Sequence, residues 1–302
     1  MNASSKIEYR KWAKQEHNLP VWHQPWWLDL AADEKWQVIL IKDNNGQIIA
    51  VHPFYIRSKF GLKKISQPSL NQCLGPYFSV KFKQSLSHQN MYMKKILASL
   101  PSHVSYEQCW TPEILNWLPF YWQNFKSFLY FTYRINLQIS EKDLWNNISS
   151  SRRREITKAN SVHNLKVDFS NSFEKIWPLI HETFIRKKLI NPYRPELIQK
   201  ILNFDLASKK VFGLIAYDNS NTIYASGIFL LDNQRCYYLA GGYRNHGDNS
   251  GSMSLLLWNA IKIAHRNGLL IFDFEGSMNE NIEFFFNSFG AIQSPYLKIW
   301  RR

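Results

Sequence analysis

Hydrophobic and polar positions change rhythm along this chain. Residues 36 to 41 and 47 to 57 are rich in β-branched and aromatic side chains, and Asp43-Asn44-Asn45-Gly46 lies between them. Asn-Gly adopts positive φ at little cost, so the two runs predict a hairpin. A polar lead and an aromatic cluster, Trp22-His23-Gln24-Pro25-Trp26-Trp27, come before it, and a Gly/Pro-marked loop, Leu74-Gly75-Pro76-Tyr77, follows it. The pattern then predicts a helix over 88–100 and strands over 103–110 and 128–139. At Thr111-Pro112-Glu113 it predicts a helix start, a capping hydroxyl followed by proline in the first turn.

Near residue 140 the rhythm shifts. Residues 141–160 read as one long polar helix or a helix pair, 165–169 as a short strand, and 172–188 and 195–209 as helices parted by Asn191-Pro192. Strands are expected over 211–217, 222–231 and 235–243. A Gly/Asn/Ser-rich loop over 245–251 leads into a helix over 252–266, which Gly268 stops. A strand over 269–274, a helix over 279–289 and a strand over 296–300 finish the chain. This order makes a mixed α/β (α+β) protein, without a repeat of solenoid period or a low-complexity tract. We expect two domains, 1–140 and 141–302.

Composition changes the picture in three ways. Tryptophan occurs 12 times and aromatics make up 16% of the chain, enough for large cores and for exposed stacking surfaces as well. Lys plus Arg exceeds Asp plus Glu by 37 to 23, a formal charge of +14, which fits a polyanionic partner or simply aids solubility. The three cysteines, Cys73, Cys109 and Cys236, are scattered without CxxC or a metal-ligand spacing of histidines, so inert thiols and no metal are expected. The start of the chain lacks the apolar stretch of a signal peptide. No apolar run approaches the ~20 residues that would span a bilayer. A cytoplasmic location is the expectation.

Three places carry candidate chemistry. The segment from Arg244 through Asn245, His246, Gly247, Asp248, Ser250 and Gly251 to Ser252 precedes a helix, where backbone N–H groups and the helix dipole favour an anion such as a pyrophosphate. The bland alternative is an ordinary capped turn, and Asp248 would weaken an anion site. In Phe272-Asp273-Phe274-Glu275-Gly276-Ser277-Met278, strand alternation would send Asp273 and Glu275 to one face and the two phenylalanines to the other. A carboxylate at the end of a buried strand is a candidate general base or amine-orienting group, or else a loop cap. Finally, Arg152, Arg153 and Arg154 are followed one turn on by Lys158. Arg154 and Lys158 share a helix face and either clasp phosphate or form a solvated face. His181 and His246 are lesser candidates as bases. There is no GxSxG, Walker loop or HExxH, so covalent and metal-dependent hydrolysis have no support.

Taken in order, Trp145 with Ser-Ser-Arg-Arg-Arg-Glu-Ile-Thr-Lys-Ala, Tyr237 to Gly242, Ser254 to Ile261, Phe272 to Met278, and Ile282 to Phe285 through Phe289-Gly290 to Pro295-Tyr296 resemble the GNAT-like domain of bacterial Fem-type proteins. His23 to Leu28 and Leu74 to Tyr77 resemble the amino-terminal part of the same group. The resemblance implies two tandem GNAT-like domains with a cleft between them and an N-acyltransferase needing neither metal nor covalent intermediate. Its donor would be acyl-CoA or aminoacyl-tRNA. The acceptor would be an amine of a cell-wall or cell-surface precursor, nucleotide- or lipid-linked, or of a small metabolite. Asp273 or Glu275 would be catalytic, and Arg244, Asn245, His246, Gly247, Ser250, Gly251 and Ser252 would hold the donor. Trp26, Tyr77, Arg152, Arg153, Arg154 and Lys158 would hold substrate. The chain departs from the group in lacking a clean Q/R-x-x-G-x-G/A loop after Arg244 and a long helical arm. The alternative is a non-catalytic nucleic-acid-binding or partner protein on the same fold.

Overall fold

The Asn-Gly turn closes the hairpin that the sequence predicts. In the computed structural model, which describes residues 3–82, 85–204, 210–244 and 251–302, β1 (Trp36–Lys42) pairs antiparallel with β2 (Ile48–Lys59), and Gly46 takes a φ of 78°. The chain divides into two compact units: residues through Phe131 together with Ser294–Arg302 form one, and Thr132–Gln293 the other. The division falls inside a strand, nine residues before the boundary after residue 140 that the change in polarity predicts.

In the first unit β2 also pairs with β3 (Leu62–Ser66) and β4 (Tyr77–Phe78), and β3 runs parallel to β5 (Ser105–Cys109). The polar lead is a helix, α1 (Ala3–Ala13), and the aromatic cluster forms a short 3-10 turn followed by α2 (Pro25–Ala32). The apolar stripe of α1 that packs inward is only one turn long, Tyr9, Trp12 and Ala13, too short to set a helical period in the sequence. Tyr9 is nevertheless fully buried, among Leu28, Trp36 and Tyr77. Helix α3 (Leu86–Ser99) turns Met93 and Ile96 into a second cluster with Phe54, Tyr106, Trp110 and Phe120.

The helix expected at Thr111 does not form there. Ile114 N donates to Thr111 O, closing a single turn, and α4 (Leu118–Tyr121) begins later with Pro119 in its first turn. A helix running on from Pro112 would have had to carry Pro119 in its interior, losing an N–H and clashing with the preceding turn.

His52, fully buried on β2, gives this unit a pH dependence. Burial, helped by the nearby His23, lowers its pKa to about 3. The folded value is depressed below the unfolded 6.5, so the stability His52 allows is present above 6.5 and is lost as pH falls toward 3. The loss should approach ~1.4 kcal/mol per pH unit across that window. Denaturant unfolding from pH 7 to pH 4 should show it, and His52→Phe should flatten the curve.

The second unit opens in β6 (Lys126–Asn136). Helices α5 (Glu141–Asn147) and α6 (Ser150–Ser161) follow, and Ser140 and Ser149 cap them by accepting from Asp143 N and Arg152 N. Strand β7 (Lys166–Phe169) precedes α7 (Phe173–Arg186) and α8 (Pro195–Leu202). A meander of β8 (Val211–Tyr217), β9 (Ile223–Leu231) and β10 (Arg235–Tyr243) leads to α9 (Ser252–Arg266) and β11 (Ile271–Asp273). After α10 (Glu280–Asn287), β12 (Ile292–Arg301) pairs antiparallel with β5, so most of it belongs to the first unit.

Strands of the second unit run in the order β6-β11-β10-β9-β8-β7, antiparallel except for β10 and β11, which the α9 crossover makes parallel. Adjacent residues of β9 point to opposite faces. Ser226 Oγ donates to Ile176 O of α7, while Gly227 faces Leu256 of α9. The two helices therefore cover opposite sides of the sheet. Gly242 on β10 lets α7 approach: a Cβ there would lie 2.0 Å from Leu179 O.

Candidate active site

Strands β10 and β11 pair over only three residues, Arg235 to Tyr237 against Ile271 to Asp273. Beyond that point each follows its other neighbour. Strand β10 stays with β9 to Tyr243, through an irregularity between Tyr238 and Ala240. The chain after β11 stays with β6, where Phe274 N donates to Tyr133 O. Asp273 fixes this divergence. Thr132 Oγ1 donates to its Oδ1 at 2.5 Å, Arg134 Nε to its Oδ2 at 2.7 Å, and Glu275 N to Oδ1 at 2.9 Å. Its side chain is 2% exposed, with both oxygens engaged.

Glu275 is held differently. The strand has ended, Glu275 takes a φ of 63° and Gly276 one of 70°. Left-handed backbone costs a non-glycine residue on the order of 1–2 kcal/mol, offset here by the bond from Glu275 N to Asp273. Asp273 and Glu275 are neighbours through this turn, and not through the strand alternation expected from sequence. Phe272 and Phe274 are both buried, their rings 5.0 Å apart. Oε1 of Glu275 is buried and has no hydrogen-bond partner among the described residues. Burial, and then the charge of Asp273, push its pKa well above the ordinary carboxyl value.

Two phenols not singled out from the sequence belong to this place. Tyr193, between α7 and α8, is pushed up to about 12 by burial and by the charge of Glu275. Tyr238, at the irregularity in β10, is raised by burial and by Tyr193. Its hydroxyl donates to Met253 Sδ at 3.8 Å. The only sequence signals were the Asn191-Pro192 break before Tyr193 and the Tyr-Tyr-Leu-Ala-Gly-Gly run around Tyr238.

The remaining candidates lie elsewhere. Asn245, His246, Gly247 and Ser250 are outside the described residues. Arg244 is half-buried, and its N–H donates to Tyr224 O. Gly251 takes a φ of 64° and lies against α6, where a Cβ would meet Glu155 O at 2.6 Å. Ser252 is buried and donates to Tyr224 O at 3.4 Å. The arginine triplet divides. Arg152 is 10% exposed, donating to Ser288 Oγ and Ser254 Oγ at 2.9 Å each, ion-paired with Glu155 and stacked on Phe285. Arg153, Arg154 and Lys158 line a shallow basin of about 490 Å³ with Trp145, Thr157 and Val162. His181 stacks on Trp177, exposed. In the first unit, Trp26 Nε1 donates to Gln24 Oε1, and Tyr77 is a core residue whose hydroxyl donates to Glu16.

In sequence, the chain matches no family model and no curated protein. In structure it is similar to a crystal structure of FemX, with a TM-score of 0.71 at 11% identity over 98% of this chain and 96% of that one. L-PGS from Bacillus licheniformis gives a TM-score of 0.59 at 11% identity, over 97% of this chain and 91% of that one. A tandem GNAT protein from the clavulanic acid biosynthesis pathway gives 0.52 at 6% identity, over 98% and 93%. Similarity over nearly the full length of each shows that this chain has a mixed α/β, tandem GNAT-like fold of the Fem type.

Proposed function

We propose that the protein is an N-acyltransferase that moves an acyl group from acyl-CoA, or an aminoacyl group from aminoacyl-tRNA, to an amine. The observation that carries this reading is the buried Oε1 of Glu275, without a partner among the described residues, where β10 and β11 diverge. A buried acceptor left unpaired costs about 1–3 kcal/mol, and an incoming N–H would relieve that cost. The fold likeness supports the same reading, because the similar structures include tandem GNAT and Fem proteins.

In this reading Glu275 takes a proton from the acceptor amine as its nitrogen attacks the donor carbonyl. The C–S or C–O bond to the donor breaks, and the thiol or ribose hydroxyl leaves with a proton. Tyr193 and Tyr238, which hold their phenolic protons at neutral pH, would donate hydrogen bonds to the oxyanion or the leaving group. Asp273 acts by position, anchoring the turn that carries Glu275. Both of its oxygens already accept hydrogen bonds within the protein, so neither is left waiting for an amine. Arg153, Arg154 and Lys158, with Trp145 beside them, are our assignment for anionic substrate. The segment over 244–252 is our assignment for the donor.

Thermal unfolding with acetyl-CoA, longer acyl-CoAs, aminoacyl-tRNA and UDP-linked peptidoglycan precursors tests the reading. A true ligand at 100 times its Kd should stabilise by ~2.7 kcal/mol. Stabilisation by a CoA ester would select the acyl-CoA donor, and by tRNA without CoA the aminoacyl donor. Silence from all of them would sink the proposal in favour of a non-catalytic role.

A further inference from the structure

The chemistry proposed above leaves the outer face of α3 unused. The inner face carries Met93 and Ile96, fully buried. On the outer face Ser87, Asn90, Met91, Lys94, Lys95 and Ala98 recur at three- and four-residue spacing and, with Trp122 just beyond α4, line a groove of about 520 Å³. Around it Leu86, Leu118, Tyr121 and Trp122 are exposed, Trp122 by 50% and Tyr121 by 57%. The Lys94 ammonium stands 5.2 Å over the Trp122 ring and that of Lys95 6.0 Å over Tyr92. Helix α3 contains two lysines and neither Asp nor Glu.

A helix face turned only to water ordinarily carries charges of both signs. This one carries aliphatic side chains, amphipathic rings and long-stemmed cations. That combination matches the boundary between water and lipid: Trp and Tyr rest at headgroup depth, Leu and Met enter the acyl edge, and Lys stems reach back to phosphate. We propose that the α3–α4 face docks the protein on an anionic lipid surface, Met91, Leu118, Tyr121 and Trp122 entering the headgroup boundary and Lys94 and Lys95 meeting lipid phosphates. The charge of the whole chain, +14, adds long-range attraction to such a surface. A nucleic-acid strand fits less well, because it needs a continuous basic track and the groove supplies two cations among apolar side chains.

Flotation of the full chain with vesicles tests the proposal, using phosphatidylcholine alone and phosphatidylcholine mixed with phosphatidylglycerol. The protein should float with the phosphatidylglycerol vesicles and far less with phosphatidylcholine alone. Lys94→Gln and Lys95→Gln should each weaken that association about five-fold. Leu118→Ser with Trp122→Ser should weaken it on the order of thirty-fold. All four side chains are on the surface, so the variants should keep the parental Tm, read alongside. No association with phosphatidylglycerol vesicles would overturn the proposal, as would association that survives all four substitutions. So would loss of RNA affinity in the variants with vesicle binding intact.

Discussion

Glu275→Gln is expected to lower kcat by about 10²–10³-fold with little change in KM, because it removes the group that accepts the proton while keeping its size. The parental rate should rise with pH as Glu275 loses its proton, with an apparent pKa well above the ordinary carboxyl value, and the Gln variant should lose that limb. Stability should move the opposite way. The folded-state pKa of Glu275 is raised above its unfolded value, so its contribution is fully present below the unfolded value and is lost as pH rises through the folded one. Glu275→Gln should therefore leave the acid-side Tm unchanged and hold it higher than the parent at alkaline pH. Full turnover in Glu275→Gln and Glu275→Ala would remove this residue from the chemistry.

Arg134→Ala should destabilise the second unit by ~3–5 kcal/mol, the usual result of leaving a buried carboxylate without its cation. Asp273 is 2% exposed and Arg134 16%, so water cannot easily replace the lost partner. Removing both charges at once, as Arg134→Met with Asp273→Leu, should recover much of the loss, since the cost lies in the orphaned charge and not in the missing attraction. Activity should fall in both variants, because Asp273 also holds the Glu275 N–H and so fixes the turn. Denaturant unfolding gives the energies. If Arg134→Ala proved neutral, Asp273 would not be the clamp on this strand end.

Legibility followed the range of the interactions involved. The strands β8, β9 and β10 and the helix α9 were predicted within a residue, because alternation, Asn-rich turns and the glycine stop are local signals. Helix α1 and the late start of α4 were not. The first has too short an apolar stripe, and the second depends on how Pro119 limits a preceding helix. At the site, the sequence singled out both carboxylates but treated them as equals. Their difference comes from Thr132 and Arg134, which lie more than a hundred residues away along the chain. The same holds for the arginine triplet. Three consecutive residues on a helix point in three directions, and only the packing of α6 against α9 and α10 turns Arg152 inward onto Ser254 and Ser288.

By itself, then, the sequence determined the mixed α/β order of elements, the tandem GNAT-like resemblance, and the short stretch after β11 where the chemistry is proposed. These rest on periodicity, turn residues and spacing, all of which act over a few neighbouring positions. Only the tertiary structure decided which carboxylate has an oxygen without a partner among the described residues, and that Tyr193 lies within range of its charge, with Tyr238 next to Tyr193. Hydrogen-bond satisfaction and desolvation depend on what other strands and loops bring to a place, and nothing within a few residues of Glu275 encodes them.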